Sequence, residues 1–312
     1  MTFLLIFLAL FATFMLASLA ALVSEKSGTV NIAIEGGMVI GGCSFLIFLN
    51  TFENCLGLPG DIIPVLLALL ITMGLLMIWN VVLGFATITM LGDHIIAGTA
   101  LNLLAPVIAL ALGITLYSKT TLFPYLSGSI PRHVSSDAGW SSLGQWEYLG
   151  IILVLLVIAF VIISILLYWT KWGLRLQAAG ENPYALETAG ISVTKTRYSS
   201  LLLVGMLTAI SSMAIVIVYE NTYITSVYGY GYISFGILIF GGWKMKGITI
   251  GSFIIAIVMA LAIRWTSMGY SGETAYFIHM IPFILPLVFL MIFKSRTGPS
   301  AAGKAFRKDL RE

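Results

Sequence analysis

Charge is what this sequence lacks. Of its 312 residues only 9% are Asp, Glu, Lys or Arg, 13 acidic against 16 basic. An ordinary soluble domain carries about 25%. So few charges cannot coat a 33.8 kDa globule in water, which excludes a cytosolic enzyme. A disordered chain, rich in charge and poor in apolar residues, is excluded as well. The net charge of +3 is too small to point to nucleic acid. Cysteine is scarce too. Cys43 and Cys55 make neither a disulfide framework nor a metal site at that number and spacing, and read as an apolar filler and a loop thiol. The three histidines, His94, His133 and His279, fall on separate segments, so no histidine metal cage is expected. There is no G-x-x-x-x-G-K-[S/T] nucleotide loop, no H-E-x-x-H helix and no G-x-S-x-G elbow. The chain is therefore expected to bind no cofactor of its own, and any uphill work draws on another subunit or an ion gradient.

What is present is apolar length. Charge-free runs extend over Met1 to Ser24, Gly36 to Phe52, Ile62 to Gly92, His94 to Ser118, Tyr148 to Thr170, Tyr198 to Tyr219, Asn221 to Trp243, Gly247 to Ile263 and Thr274 to Phe293. A hydrocarbon core ~30 Å thick is crossed by ~20 helical residues. The expectation is an all-α, polytopic membrane protein with about nine transmembrane helices, between about eight and ten. The third run, 31 residues long, suits one tilted span. The seventh is interrupted by Gly229, Gly231, Gly236, Gly241 and Gly242 and reads as a short or broken helix. The first lacks the basic start of a secretory signal and exceeds its ~7–15-residue core, so it reads as a retained helix.

Short loops rich in Lys and Arg stay in the cytoplasm. Residues 171–197 carry Lys171, Arg175, Lys195 and Arg197, and the tail over 294–312 carries six basic residues. Both are assigned to the cytoplasm, with Lys244 and Lys246 at the cytoplasmic turn between them. Counting back puts residues 119–147 in an outer loop and the N-terminus outside. The organisation expected is one transmembrane domain over 1–293 followed by a basic cytoplasmic tail.

Some residues break the apolar pattern. Gly37 and Gly41, four apart, let helix backbones approach closely in lipid. Glu35 is expected at the cytoplasmic edge near Lys26, with an intramembrane acid as the alternative. Asn80, Asn102 and His279 fall within spans, where they serve either as interhelical glue or as the lining of a solute path. Tyr219, Glu220, Asn221, Tyr223, Tyr228, Tyr230 and Tyr232 crowd one stretch on the outer side. An interfacial tyrosine belt and an aromatic mouth that stacks on a planar ligand both fit them.

The connection over 171–197, 27 residues long, exceeds the ~2–8 usual between bundled helices. Within it Asn182 suits an N-cap, Pro183 the first helical position, and Gly190 a left-handed terminator. A short helix is expected there, lying across the cytoplasmic face and docking to a partner. Thr170-Lys171-Trp172-Gly173-Leu174-Arg175, then Ala179-Gly180-Glu181-Asn182-Pro183 and Gly190-Ile191, resemble the coupling loop of ABC importer permeases of the ribose and nucleoside type, a branched-chain-type permease family. Ser24-Glu25-Lys26-Ser27-Gly28 with Asn31 to Met38, and Ile96 to Leu104, are similar to the nucleoside and simple-sugar branch, including its shorter permease subunit.

The resemblance implies a type II importer-like fold in the bacterial cytoplasmic membrane. It also implies three partners: a second, homologous and longer permease, a cytoplasmic ATP-binding protein that consumes the ATP, and an extracytoplasmic solute-binding lipoprotein. Glu181, Asn182, Pro183, Tyr184, Glu187 and Gly190 would then couple to the ATPase, with no catalytic residue and no metal ligand in this chain. Asn80, Asn102, Tyr223, Tyr228, Tyr230, Tyr232 and His279 are the candidates for the solute path. A nucleoside is the leading solute, with riboflavin and then simple sugars behind it. A gradient-driven secondary transporter is the rival class. Gln177 departs from the family pattern, standing where a basic residue is common, as do Ser211 and Ser212, where glycine and alanine are frequent.

Overall fold

A helix that is apolar on every side belongs in an interior, and the first helix of this chain occupies one. In the computed structural model, residues 3–57, 62–117, 129–131, 145–218, 222–224, 226–267, 280–285, 288, 291 and 298–306 are described. The helices are α1 (Phe3–Lys26), α2 (Ile34–Leu56), α3 (Ile62–Gly84, continued by a π-helical turn over Phe85–Thr89), α4 (His94–Tyr117) and α5 (Gln145–Trp169). There follow α6 (Lys171–Glu181), α7 (Pro183–Thr188), α8 (Val193–Val218), α9 (Tyr230–Phe240) and α10 (Met245–Ser267). Every residue of α1 from Ala12 to Glu25 is buried, because α8, α10, α9 and α5 surround it. A second group, α2 with α3, α4 and α8, shares α8 with the first. Strands β1 (Ser129–Pro131) and β2 (Thr222–Ile224) form one antiparallel pair, with Ile130 opposite Tyr223.

Small residues set how closely the two groups meet. Along the α2–α8 seam Gly37 faces Thr208, and a methyl group at Gly41 would overlap the Ser212 hydroxyl. The four-residue glycine spacing thus does what its sequence predicts: it brings two backbones together in lipid. The outward faces behave differently. Leu70, Ile78, Leu103, Val107, Val157 and Ile250 are all exposed, a surface suited to hydrocarbon rather than water.

Among the described residues seven helices are long and apolar enough to cross a membrane: α1, α2, α3 with its π turn, α4, α5, α8 and α10. The long third run is one span. Among the described residues the seventh run holds β2 and one helix, α9, whose 11 residues are too few to cross by themselves. Its start is fixed by two left-handed residues, Tyr228 at φ +50° and Gly229 at φ +80°, and it stops before Gly242 at φ +66°. The ninth run lies mostly outside the described residues, of which 280–285 is helical. His279, Tyr219, Glu220, Asn221 and most of the 119–147 loop also lie outside them.

Candidate functional site: a docking helix and a polar centre

At one end of the bundle α6 and α7 fill most of the long connection. Thr170 caps α6 by accepting a hydrogen bond from the Gly173 N–H at 3.2 Å. A side chain at Gly173 would strike the Leu166 and Leu167 carbonyls, so α6 folds back tightly on α5. Gln177, the departure from the family pattern, donates to the Leu167 carbonyl at 2.8 Å and satisfies the end of that helix. Trp172 donates to Ser199 of α8 at 3.1 Å. Gly180 lies against the Lys26 carbonyl at the end of α1. Leu176, Ala179 and Gly180 are buried, and α6 is thereby fixed to three long helices.

α7 then begins at Pro183, with the Asn182 side chain accepting from the Ala185 N–H at 3.1 Å. It ends before Gly190, at φ +79°. These are the positions that the capping pattern assigns to them. Leu186 seats α7 on Ala179 and Val193, whereas Tyr184, Ala185 and Thr188 stay exposed. Glu187 accepts from the Val193 N–H at 3.4 Å, joining α7 to α8.

A segment that sequence reasoning treated only as a basic tail completes this end. Ser300 donates its N–H to the Glu181 carboxylate at 3.3 Å and its hydroxyl to the Glu181 carbonyl at 2.5 Å. The Ala301 N–H donates to the Gly180 carbonyl at 2.8 Å and the Gly303 N–H to the Gly28 carbonyl at 3.0 Å. The Phe306 ring packs against Tyr184 with centroids 5.2 Å apart. Buried Arg197 ties the parts together, donating to the Ser27 carbonyl at 3.2 Å and the Lys304 carbonyl at 3.3 Å. Nothing local in the sequence separates this arginine from the other basic residues of the connection.

Inside the bundle lies a polar centre. Asn102 accepts from the Gly36 N–H at 2.7 Å and donates to the Ile32 carbonyl at 3.0 Å and the Tyr232 hydroxyl at 2.9 Å. Asn80 accepts from Asn31 at 2.9 Å and donates to the Leu76 carbonyl at 2.9 Å. Asn102 thus ties α4 to α2 and α9, whereas Asn80 ties α3 to the loop between α1 and α2. Glu35 corrects an expectation. It is not a solvated edge residue but a buried one, accepting from the Gly229 N–H at 2.8 Å and the Gly231 N–H at 2.7 Å. The start of α9 supplies the donors that water would otherwise give.

The tyrosine stretch is likewise not a uniform belt. Tyr230 is buried against Phe14, ring centroids 5.3 Å apart, and Tyr232 bonds Asn102 while half of it stays exposed. Tyr228 is exposed. Tyr223 contributes backbone to β2. Of the solute-path candidates, then, the structure joins Asn102 and Tyr232 directly and sets Tyr228 and Tyr230 on either side of Gly229. Asn80 reaches the same centre through Asn31. No group of three or more His, Cys, Asp or Glu gathers to hold a metal among the described residues.

A bundle of long apolar helices, one broken helix and a short helix displayed at one end define a multi-pass membrane permease. The chain belongs to the family described as branched-chain amino acid transport system / permease component, whose sequence profile matches residues 3–287. A protein of Mycoplasma genitalium, MG121, is 33% identical over 308 residues, covering 95% of this chain and 94% of that one. The nucleoside ABC transporter permease NupC of Lactococcus lactis is 28% identical over 93% of this chain and 92% of its own length. The guanosine ABC transporter permease NupQ of Bacillus subtilis is 28% identical over 96% and 94%. No solved structure matches. The resemblance to ABC permeases read from the connection and the two upstream motifs holds over nearly the whole chain.

Proposed function

We propose that this chain is one of two permease subunits in an ATP-driven importer of nucleosides. The observation that carries the reading is α7: a short capped helix, clamped from behind by α6, α8 and residues 298–306, with Tyr184, Ala185 and Thr188 turned outward. A partner pressing on α7 moves α5 and α1 with it, because Gly173 and Gly180 leave no slack at those joints. Nucleotide-driven closure of a separate ATPase would rock these helices and expose the solute path alternately. On this account Glu181, Asn182, Pro183, Tyr184, Glu187 and Gly190 work mechanically. The basic residues support a cytoplasmic α6–α7 end and an outer N-terminus, and the nine apolar runs support about nine crossings, seven of them candidate spans among the described residues.

The nucleoside assignment follows the names of the two permeases that match this chain almost end to end. Pairing with a second permease is supported by Lactococcus lactis, two of whose nucleoside permeases, NupC and NupB, are similar to this chain. A solute-binding lipoprotein outside and an ATP-binding protein inside complete the machine. Tyr228 and Tyr232 offer exposed rings for a planar base, and Asn102 orients the Tyr232 hydroxyl.

Uptake of labelled guanosine by proteoliposomes holding the complete complex tests this. Asn182→Pro and Gly190→Val should each abolish ATP-dependent uptake and release the ATPase, with the permease still in the membrane. Full uptake in both variants would remove the coupling role. Uptake driven by a proton or sodium gradient without ATP would move the protein to the secondary transporters.

A further inference from the structure

Between α5 and α10, at the end that carries α6 and α7, lies a groove of about 880 Å³. Phe160 and Tyr168 of α5 and Ile250 of α10 form its apolar wall. Lys26 at the end of α1 joins Lys244 and Lys246 at the start of α10 in lining it. Among the described residues no acidic side chain lines it. Two acids, Glu25 and Glu181, stand close by but are not among the lining residues. Glu25 accepts from the Trp243 indole N–H at 2.5 Å. Glu181, which faces Lys26, holds the Ser300 N–H. α10 has no acid in its first turn, where acids are favoured and lysines oppose the helix dipole. Positive charge therefore gathers at one end of an apolar trough.

We infer that this groove is a binding site for an anionic phospholipid. Its phosphodiester headgroup sits on Lys26, Lys244 and Lys246, and its acyl chains lie along Phe160, Tyr168 and Ile250. On the same two helices, about one turn from the lining residues Phe160, Ser164 and Ile250, Val157, Val161 and Phe253 are exposed, a surface suited to hydrocarbon. The cations stand at the span ends, where headgroups lie and where basic pockets between helices recognise anionic lipids. A second copy of the chain is a poorer occupant, because a two-fold contact would set one lysine cluster against another. A lipid seated here touches the turn between α9 and α10 and the end of α1, so it braces the joint on which α6 rests. The site is independent of the solute carried.

Native mass spectrometry of the full chain, released from nanodiscs of phosphatidylcholine mixed with phosphatidylglycerol, tests the inference. Retention of one or two phosphatidylglycerol molecules, in preference to phosphatidylcholine by about tenfold, is expected. That preference should vanish in Lys244→Gln/Lys246→Gln and persist in Lys195→Gln/Lys304→Gln, which removes the same charge from exposed positions elsewhere on this end. Equal losses in the two double variants would reduce the effect to net charge and overturn the site. Equal retention of both lipids would overturn it, as would a second protein chain held in place of lipid. Glycerophosphoglycerol, the headgroup without its chains, binding as tightly as the lipid would remove the apolar wall from the account and overturn it too.

Discussion

Glu35 sits where two main-chain N–H groups replace the water that it gave up on burial. Burial of a carboxylate costs several kcal/mol, and hydrogen bonds to a charged group return about 1.5–3 kcal/mol each. Glu35→Gln turns one acceptor into a donor facing a donor. Both Gln and Ala variants should therefore lower the melting temperature in detergent, at about 1–3 kcal/mol for each N–H left unpaired. A variant as stable as the parent would show that α9 finds other partners. Asp93 is the exposed counterpart. Its side chain accepts from the Ile96 and Ile95 N–H groups at 3.0 and 2.8 Å, which holds its carboxyl below the usual carboxylate range. The folded value lies below the unfolded one of about 3.9. Its stabilisation of the start of α4 is therefore present above that pH and lost as pH falls through the folded value. Asp93→Asn keeps a capping oxygen but cannot titrate. Melting curves of the two proteins should show the parent losing stability on acidification below about pH 4 by more than the variant does. At this scale the sequence revealed which residues are polar but not whom they meet. Asn102 and Tyr232 are 130 positions apart, Glu35 and Gly229 194, and no local rule links such distances.

Elements were legible where a rule is local. Asn182, Pro183 and Gly190 obey cap chemistry that acts over a few residues, and Gly37 and Gly41 obey helical spacing. The existence of α6 was missed, because of its buried residues Gly173, Leu176, Ala179 and Gly180 only Leu176 is a large apolar one. The α2–α8 seam supports a graded test. Gly41→Ala and Gly41→Leu should destabilise the protein in that order, since even one methyl meets Ser212 and Leu76. Overpacking of this kind costs about 1–3 kcal/mol or more. Gly74, with nothing within 4 Å of an added Cβ, should accept alanine without loss. Thermal unfolding in one detergent ranks all three, and equal melting points would show that the seam yields.

At the scale of the whole molecule, the orientation proposed from the charge pattern is one that a native thiol can report. Cys55 is exposed and Cys43 buried. An impermeant maleimide applied to intact cells should label the parent at Cys55, and should fail on Cys55→Ser/Ser192→Cys until the cells are opened. The reverse pattern would invert the molecule. Seven of the nine runs were legible as candidate spans because hydrocarbon thickness fixes span length, whereas the break in the seventh run depends on two left-handed residues whose effect hydropathy does not register.

Residues 298–306 bind Gly28, Gly180, Glu181 and Arg197, yet a ribosome makes them after all seven candidate spans of the described residues. The brace behind α7 is thus made after the helices that it fastens. A half-synthesised permease would present α7 unbraced, so under the proposed coupling role an ATPase would meet a finished docking surface only once these helices had been built.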